Sequence, residues 1–152
     1  MSKNQLIIFF FITMPFLANA VQPNAEDDKI IGKWMSTEKN VMVDVYKVGD
    51  EFKAKVIWFD DTDDPSRPMK SRLDSNNPKH ELKKRKILGM DVLKGLKYNS
   101  DKNRWENGVI YDANSGRHWS SIVYFNDEGQ LEVKGYWKFE FICETVKFDK
   151  AN

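Results

Sequence analysis

From Asp44 onward, apolar and polar residues alternate with a period of two, which commits the chain to half-buried β-strands. Glu51 to Trp58 sets Phe52, Ala54, Val56 and Trp58 on one face. Gln130 to Phe139 does the same with Leu131, Val133, Gly135, Trp137 and Phe139. The pattern predicts further strands over Val41 to Val48, Met90 to Tyr98, Arg104 to Asp112, Arg117 to Phe125 and Thr145 to Phe148. A tight turn at Gly49-Asp50 and links at 99–103, 113–116 and 126–129 join neighbouring strands. Links this short force antiparallel pairing, because a parallel crossover needs about a dozen residues or more. A meander of this kind leaves two exposed edges unless it closes. The expectation is therefore an all-β fold: a single small antiparallel up-and-down barrel with Val56, Trp58, Val133 and Trp137 facing inward. A two-sheet sandwich is the alternative, but it needs long connections that are missing here.

One segment interrupts the meander. Asp60 to Lys86 is polar, charged and proline-bearing, far longer than a hairpin loop. His80 to Lys86 is predicted to form about two turns of helix within it.

The first 20 residues have the layout of an export signal. Lys3 supplies the positive start, Leu6 to Leu17 is an unbroken apolar run, and Ala18-Asn19-Ala20 is a small-x-small cleavage site. The apolar run is shorter than the roughly 20 residues needed to span a bilayer. The domain expectation is thus a signal peptide over 1–20 and one barrel over 21–152, with a mature chain that starts at Val21 and is periplasmic or secreted. Removing the signal takes away Lys3 and no acid, leaving 23 basic against 23 acidic side chains. A balanced charge argues against nucleic acid or an anionic membrane as partner. Cys143 is the single cysteine, so no intrachain disulfide staples the fold, and it is expected to be a buried, inert thiol.

Catalytic and cofactor patterns are missing from the sequence. The run Asp60-Asp61-Thr62-Asp63-Asp64 lacks the glycine and spacing of a calcium loop and reads as solvated loop charge. Lys83-Lys84-Arg85-Lys86 reads as a solvated helix face. His80 and His118 are the only histidines and sit in no metal-ligand spacing. His118 is expected to point outward. Ser115-Gly116 and Ser120-Ser121 do not form a nucleophile elbow, and no glycine-rich loop opens a helix to hold phosphate. The expectation is a non-enzymatic protein with no cofactor and no metal.

Tryptophan and tyrosine stand above background. Trp34, Trp58, Trp105, Tyr111 and Trp119 fall mostly on the apolar phase of their strands. They are the candidate ligand-binding residues, lining the barrel interior, with Tyr111 or Asn107 as a polar handle. The competing account is that the rings simply fill the core.

Several residues carry a family resemblance. Gly32-Lys33-Trp34 near the start of the barrel resembles the opening of the lipocalin and wider calycin barrels. Trp58 precedes an Asp-rich loop. Asn77-Pro78, Ile87-Leu88-Gly89, Trp105 with Gly108, Ile110-Tyr111-Asp112 with Gly116, and Gly135-Tyr136 follow in order. In this order and spacing the chain resembles the exported bacterial family known as domain of unknown function 2147. The resemblance implies a calycin-like barrel, a periplasmic home and no established activity. A cysteine pair common in that family reads here as Val48 and Lys53, a late glycine as Cys143, and a final tryptophan as Phe148. Asp112 and Gly116 have a local explanation as turn chemistry.

The leading functional expectation is an exported barrel that binds a small hydrophobic or amphipathic molecule without chemistry. The alternative is a filled barrel acting as a protein-interaction or envelope-maintenance module through the loop over 60–86. Interior volume separates the two, since ligand pockets commonly exceed about 300 Å³.

Overall fold

The structure is a computed structural model and describes residues 26–137 and 143–152. The expected signal peptide, its cleavage site and Phe139 lie outside the described residues.

Eight strands close into one antiparallel barrel in sequence order. They are β1 (Gly32–Ser36), β2 (Val41–Val48), β3 (Glu51–Phe59), β4 (Asp91–Asn99), β5 (Arg104–Asp112), β6 (Arg117–Phe125), β7 (Leu131–Tyr136) and β8 (Cys143–Lys150). The seam that closes the barrel pairs Trp34 with Lys150, Met35 with Asp149 and Ser36 with Phe148. Every strand thereby has a partner on both sides, although across the seam only Phe148 to Lys150 of β8 pair with β1.

The core follows from the alternation. Phe52 and Ala54 on β3, Leu93 and Leu96 on β4, Val123 on β6 and Leu131 on β7 are buried in one cluster. Burying each large apolar side chain contributes about 1.5 to 3 kcal/mol, so this cluster is the main source of stability. Val56 is buried as well, and Val133 packs against the cluster.

Register shifts interrupt the alternation on β3, β4 and β5, and the ones on β3 and β5 reorient aromatic side chains. Met42 pairs with Trp58 while Val43 pairs with Val56, which leaves Ile57 as an extra residue on β3. Trp105 pairs with Val123 while Gly108 pairs with Ser121, so β5 also carries one residue too many. Asn107 absorbs that excess with a φ of 65°, a left-handed conformation that asparagine tolerates better than most side chains. Each bulge flips the side-chain phase of the residues beyond it.

One end of the barrel is capped by a single 3-10 turn over Asp27–Ile30. Ile30 is buried beneath it, and the Lys47 Nζ at the end of β2 holds Asp27 and Asp28 at 3.0 and 2.8 Å. The other end bears the long segment over 60–90. The predicted helix at His80 shrinks to one 3-10 turn, His80–Leu82, because the chain around it is spent on side-chain and turn contacts. Cys143 opens β8 exposed rather than buried, since it lies at the rim, past the covered part of the wall. Trp137 also stays 55% exposed: it follows the last paired residue of β7 and leans on Trp119 at the rim, ring centroids 6.2 Å apart.

Candidate functional site

The barrel encloses a cavity of about 150 Å³. Ile30 belongs to its lining, as do Val45, Ala54, Leu96, Val123 and Val133 on the walls, and every side chain that lines it is apolar. Among the described residues, no charged or hydrogen-bonding side chain lines the space. Such a surface rewards only the removal of apolar matter from water.

The five aromatic residues singled out in the sequence divide between three places. Trp34 and Trp105 are 2% and 1% exposed and sit inside the barrel at its capped end. They pack against Phe125 at centroid distances of 5.9 and 5.8 Å, and Trp105 also meets Tyr98 at 5.0 Å. Their N–H groups are already used within the protein. Trp34 Nε1 donates to the Ile30 carbonyl at 2.8 Å, and Trp105 Nε1 donates to the Asp27 carbonyl at 3.0 Å. A buried indole needs such a partner, and the capping turn supplies it. Lys150 lays its Nζ 4.4 Å from the Trp34 ring centre, and burial there holds its pKa below the ordinary lysine value. These two rings stopper the barrel.

Trp119 pairs with Ile110, which lines the cavity, so it lies on the inner phase toward the open rim. Trp58 and Tyr111 lie on the outer face, and the two bulges are the reason. Beyond Ile57, Trp58 shares a phase with Met42 and Met35, the alternate of Trp34 and Val43. Beyond Asn107, Ile110 faces the cavity and Tyr111 faces away from it, beside Pro78, Leu82 and His118. Asn107 itself is spent on the bulge and is exposed.

Tyr111 is nevertheless buried, because the long loop folds down over it. Asp74, 0% exposed, accepts a hydrogen bond from the Tyr111 hydroxyl at 2.5 Å, one from Asn77 Nδ2 at 2.7 Å and one from Arg85 Nη2 at 2.7 Å. A carboxylate taken out of water survives only when so supplied with donors. Burial first, and the Asp74 carboxylate second, push the Tyr111 hydroxyl up to a pKa of about 12. The backbone adds a short ladder, Asp74 N–H to the Arg85 carbonyl at 2.8 Å and Ile87 N–H to the Arg72 carbonyl at 3.1 Å.

The loop then seats on the β5–β6 turn. Asp112 organises that turn by accepting from the Asn114 N–H at 2.9 Å and from Ser115 Oγ at 2.5 Å. Asn76 Nδ2 donates to the Asn114 carbonyl at 2.8 Å. At Gly116, φ is 71°, and a Cβ would stand 2.1 Å from the Asn76 carbonyl oxygen. Only glycine permits both the turn and the seat. Asp74 and Arg85 were not distinguishable in the sequence from any other loop charge. The one available signal is that Asn77-Pro78 keeps company with Tyr111 and Gly116 in the same family pattern.

Among the described residues, no three His, Cys, Asp or Glu side chains gather in a way that would hold a metal ion. No described helix is long and apolar enough to cross a membrane.

A comparison with curated proteins finds no match. Protein HP1028 from Helicobacter pylori, whose solved structure is described as belonging to the lipocalin family, matches with a TM-score of 0.67 and 21% identity, over 82% of this chain and 84% of that one. At that identity the likeness carries the fold, and the closed eight-stranded barrel is lipocalin-like. The family model described as an uncharacterized protein conserved in bacteria, DUF2147, matches residues 32–150, and the chain belongs to that family.

Proposed function

We propose that this protein binds one narrow apolar group, a small hydrocarbon or the tail of an amphiphile, inside the barrel and performs no chemistry on it. The observation that carries the reading is the cavity of about 150 Å³ lined entirely by apolar side chains. An engineered cavity of about 150 Å³ lined by leucine, isoleucine and phenylalanine stays dry and takes benzene, so this volume suffices for a small guest. It falls below the roughly 300 Å³ of common ligand pockets, which argues for a slim guest rather than a bulky one. With Trp34 and Trp105 plugging the capped end, entry is from the rim that carries Trp119 and Trp137, where a polar head stays in water. We further propose that the chain acts outside the cytoplasm, cleaved after Ala20. The support is the N-terminal pattern, and N-terminal sequencing of the exported protein should read from Val21.

The binding test is a titration with benzene and with straight-chain carboxylates of increasing length, followed by tryptophan fluorescence. Saturable quenching is expected, with affinity rising as the chain lengthens and then levelling once the cavity is full. Ala54→Leu puts a larger side chain into the cavity wall and should weaken binding about tenfold or more, the equivalent of about 1.4 kcal/mol of lost apolar contact. No saturable signal from any of these probes would overturn the reading.

A further inference from the structure

A second concavity lies between the long loop and the outer wall of the barrel, with a volume of about 250 Å³. Its floor is apolar, made by Pro78 and Leu82 from the loop and Val109 from β5. Tyr111 and His118 form one side as a tilted ring pair, centroids 4.9 Å apart at 43°. The cationic groups are Lys79, Arg85 and Lys94.

The charges do not cancel. Asp74 neutralises Arg85, and Asp91 at the margin accepts a hydrogen bond from the Tyr46 hydroxyl at 2.7 Å. Among the described residues, Lys79 and Lys94 have no acidic partner within 4.0 Å. Three positive groups thus stand against two carboxylates. Arg85 is committed to Asp74 through Nη2 at 2.7 Å, and its Nε is buried without a hydrogen-bond partner. The recess therefore takes its uncommitted positive charge from Lys79 and Lys94, while Arg85 is held by Asp74. Two exposed ammonium groups beside an apolar floor and a ring pair suit a flat ring that carries a single negative charge.

We propose that this recess is a binding site for a small aromatic carboxylate. The ring lies on the apolar floor beside Tyr111 and His118, and the carboxylate meets the ammonium groups of Lys79 and Lys94. The volume is adequate, since about 150 Å³ already accommodates a benzene ring. The site lies on the opposite face of β5 from the barrel cavity, and Val92 borders both.

The test uses 2-naphthoate as probe and 2-naphthamide as its uncharged counterpart, with NMR of the His118 ring signals as the site-specific readout. Naphthoate should shift those signals saturably below about 5 mM, and added salt should weaken it. Naphthamide should bind at least about tenfold more weakly, as should naphthoate to Lys79→Glu or Lys94→Glu, both exposed positions whose exchange leaves the fold intact. Ala54→Leu, which fills the barrel, should leave the His118 response in place. The proposal is overturned by no saturable shift at His118, by equal binding of naphthamide, by indifference to both lysine exchanges, or by loss of the response in Ala54→Leu. Because the barrel titration reads apolar guests and this one reads His118, either reading can fail while the other stands.

Discussion

At the capped end of the barrel, Trp34 and Trp105 bury whole rings and hand their single polar atoms to backbone carbonyls of the capping turn. At the open end, Tyr111 buries its ring under a loop and hands its hydroxyl to a carboxylate that also holds Asn77 and Arg85. Both arrangements satisfy every ring's polar tip, yet they respond to damage differently. The cap is part of the core and can fail only with the whole barrel. The latch joins a loop to the outside of a finished wall, so the loop can lift while the barrel persists, and the cost of breaking it is limited to the cost of lifting.

The sharpest way to break this distinction is to damage both ends and compare. Trp105→Ala should lower global stability by about 3 to 5 kcal/mol, the usual range for emptying a buried tryptophan site. Urea unfolding followed by far-UV dichroism and by fluorescence should shift together. A loss under about 1 kcal/mol would mean that the capped end is not part of the core. Gly116→Ala, whose new Cβ meets the Asn76 carbonyl, should instead release the loop. A smaller global loss of about 1 to 2 kcal/mol is expected, with protease cuts appearing within residues 60–86 and amide exchange of Asp74 and Asn77 rising about tenfold or more. Global unfolding without that local signal would erase the difference between the two ends.

The smallest effect is titration of the latch. Tyr111→Phe removes one of three donors to Asp74 and should cost about 1 kcal/mol near neutral pH, read from urea midpoints. The folded Tyr111 hydroxyl ionises near 12 against an ordinary value of 10, so the folded state resists its ionisation. Its contribution is complete below pH 10 and is lost as pH rises from 10 toward 12. Wild type should therefore lose more stability over that window than Tyr111→Phe. Tyr46 is also raised to about 12, chiefly by its hydrogen bond to Asp91, so the comparison is best made in a Tyr46→Phe background. Equal alkaline slopes would show that Tyr111 is not buried against a carboxylate.

Much of the barrel was legible because strand alternation and short turns are local signals. Phe52, Ala54, Leu131 and Val133 face the core as their period-two spacing requires. The bulges at Ile57 and Asn107 were not legible. One extra residue leaves the composition of a strand unchanged and shows only in the register with its neighbour, and this is why Trp58 and Tyr111 turn outward. The capping turn was hidden for a similar reason: Asp27 and Trp105 are joined across 78 residues, a separation no pattern window covers. At the latch the sequence yielded its seat but not its charge. Asp112 and Gly116 show their turn chemistry locally, whereas Asp74 is one aspartate among many until Tyr111, 37 residues on, is brought against it.

The barrel seam has a consequence for how the chain comes to be folded. Its two strands are the first and the last, and the seam brings the Lys150 side chain back to the Ile31 carbonyl, 119 residues earlier. Hairpins such as β2–β3 close across a few residues and can form early in folding. The β1–β8 ladder cannot, because its two strands are separated by the whole length of the barrel. Until it forms, β1 has an unpaired edge and its Trp34 has no Lys150 to cover it. Closure of the ring is thus a late, long-range event, with the loop-entropy cost that such contacts carry. A chain shortened by even its last strand would remain an open sheet with two sticky borders, prone to associate with its own copies rather than to fold alone.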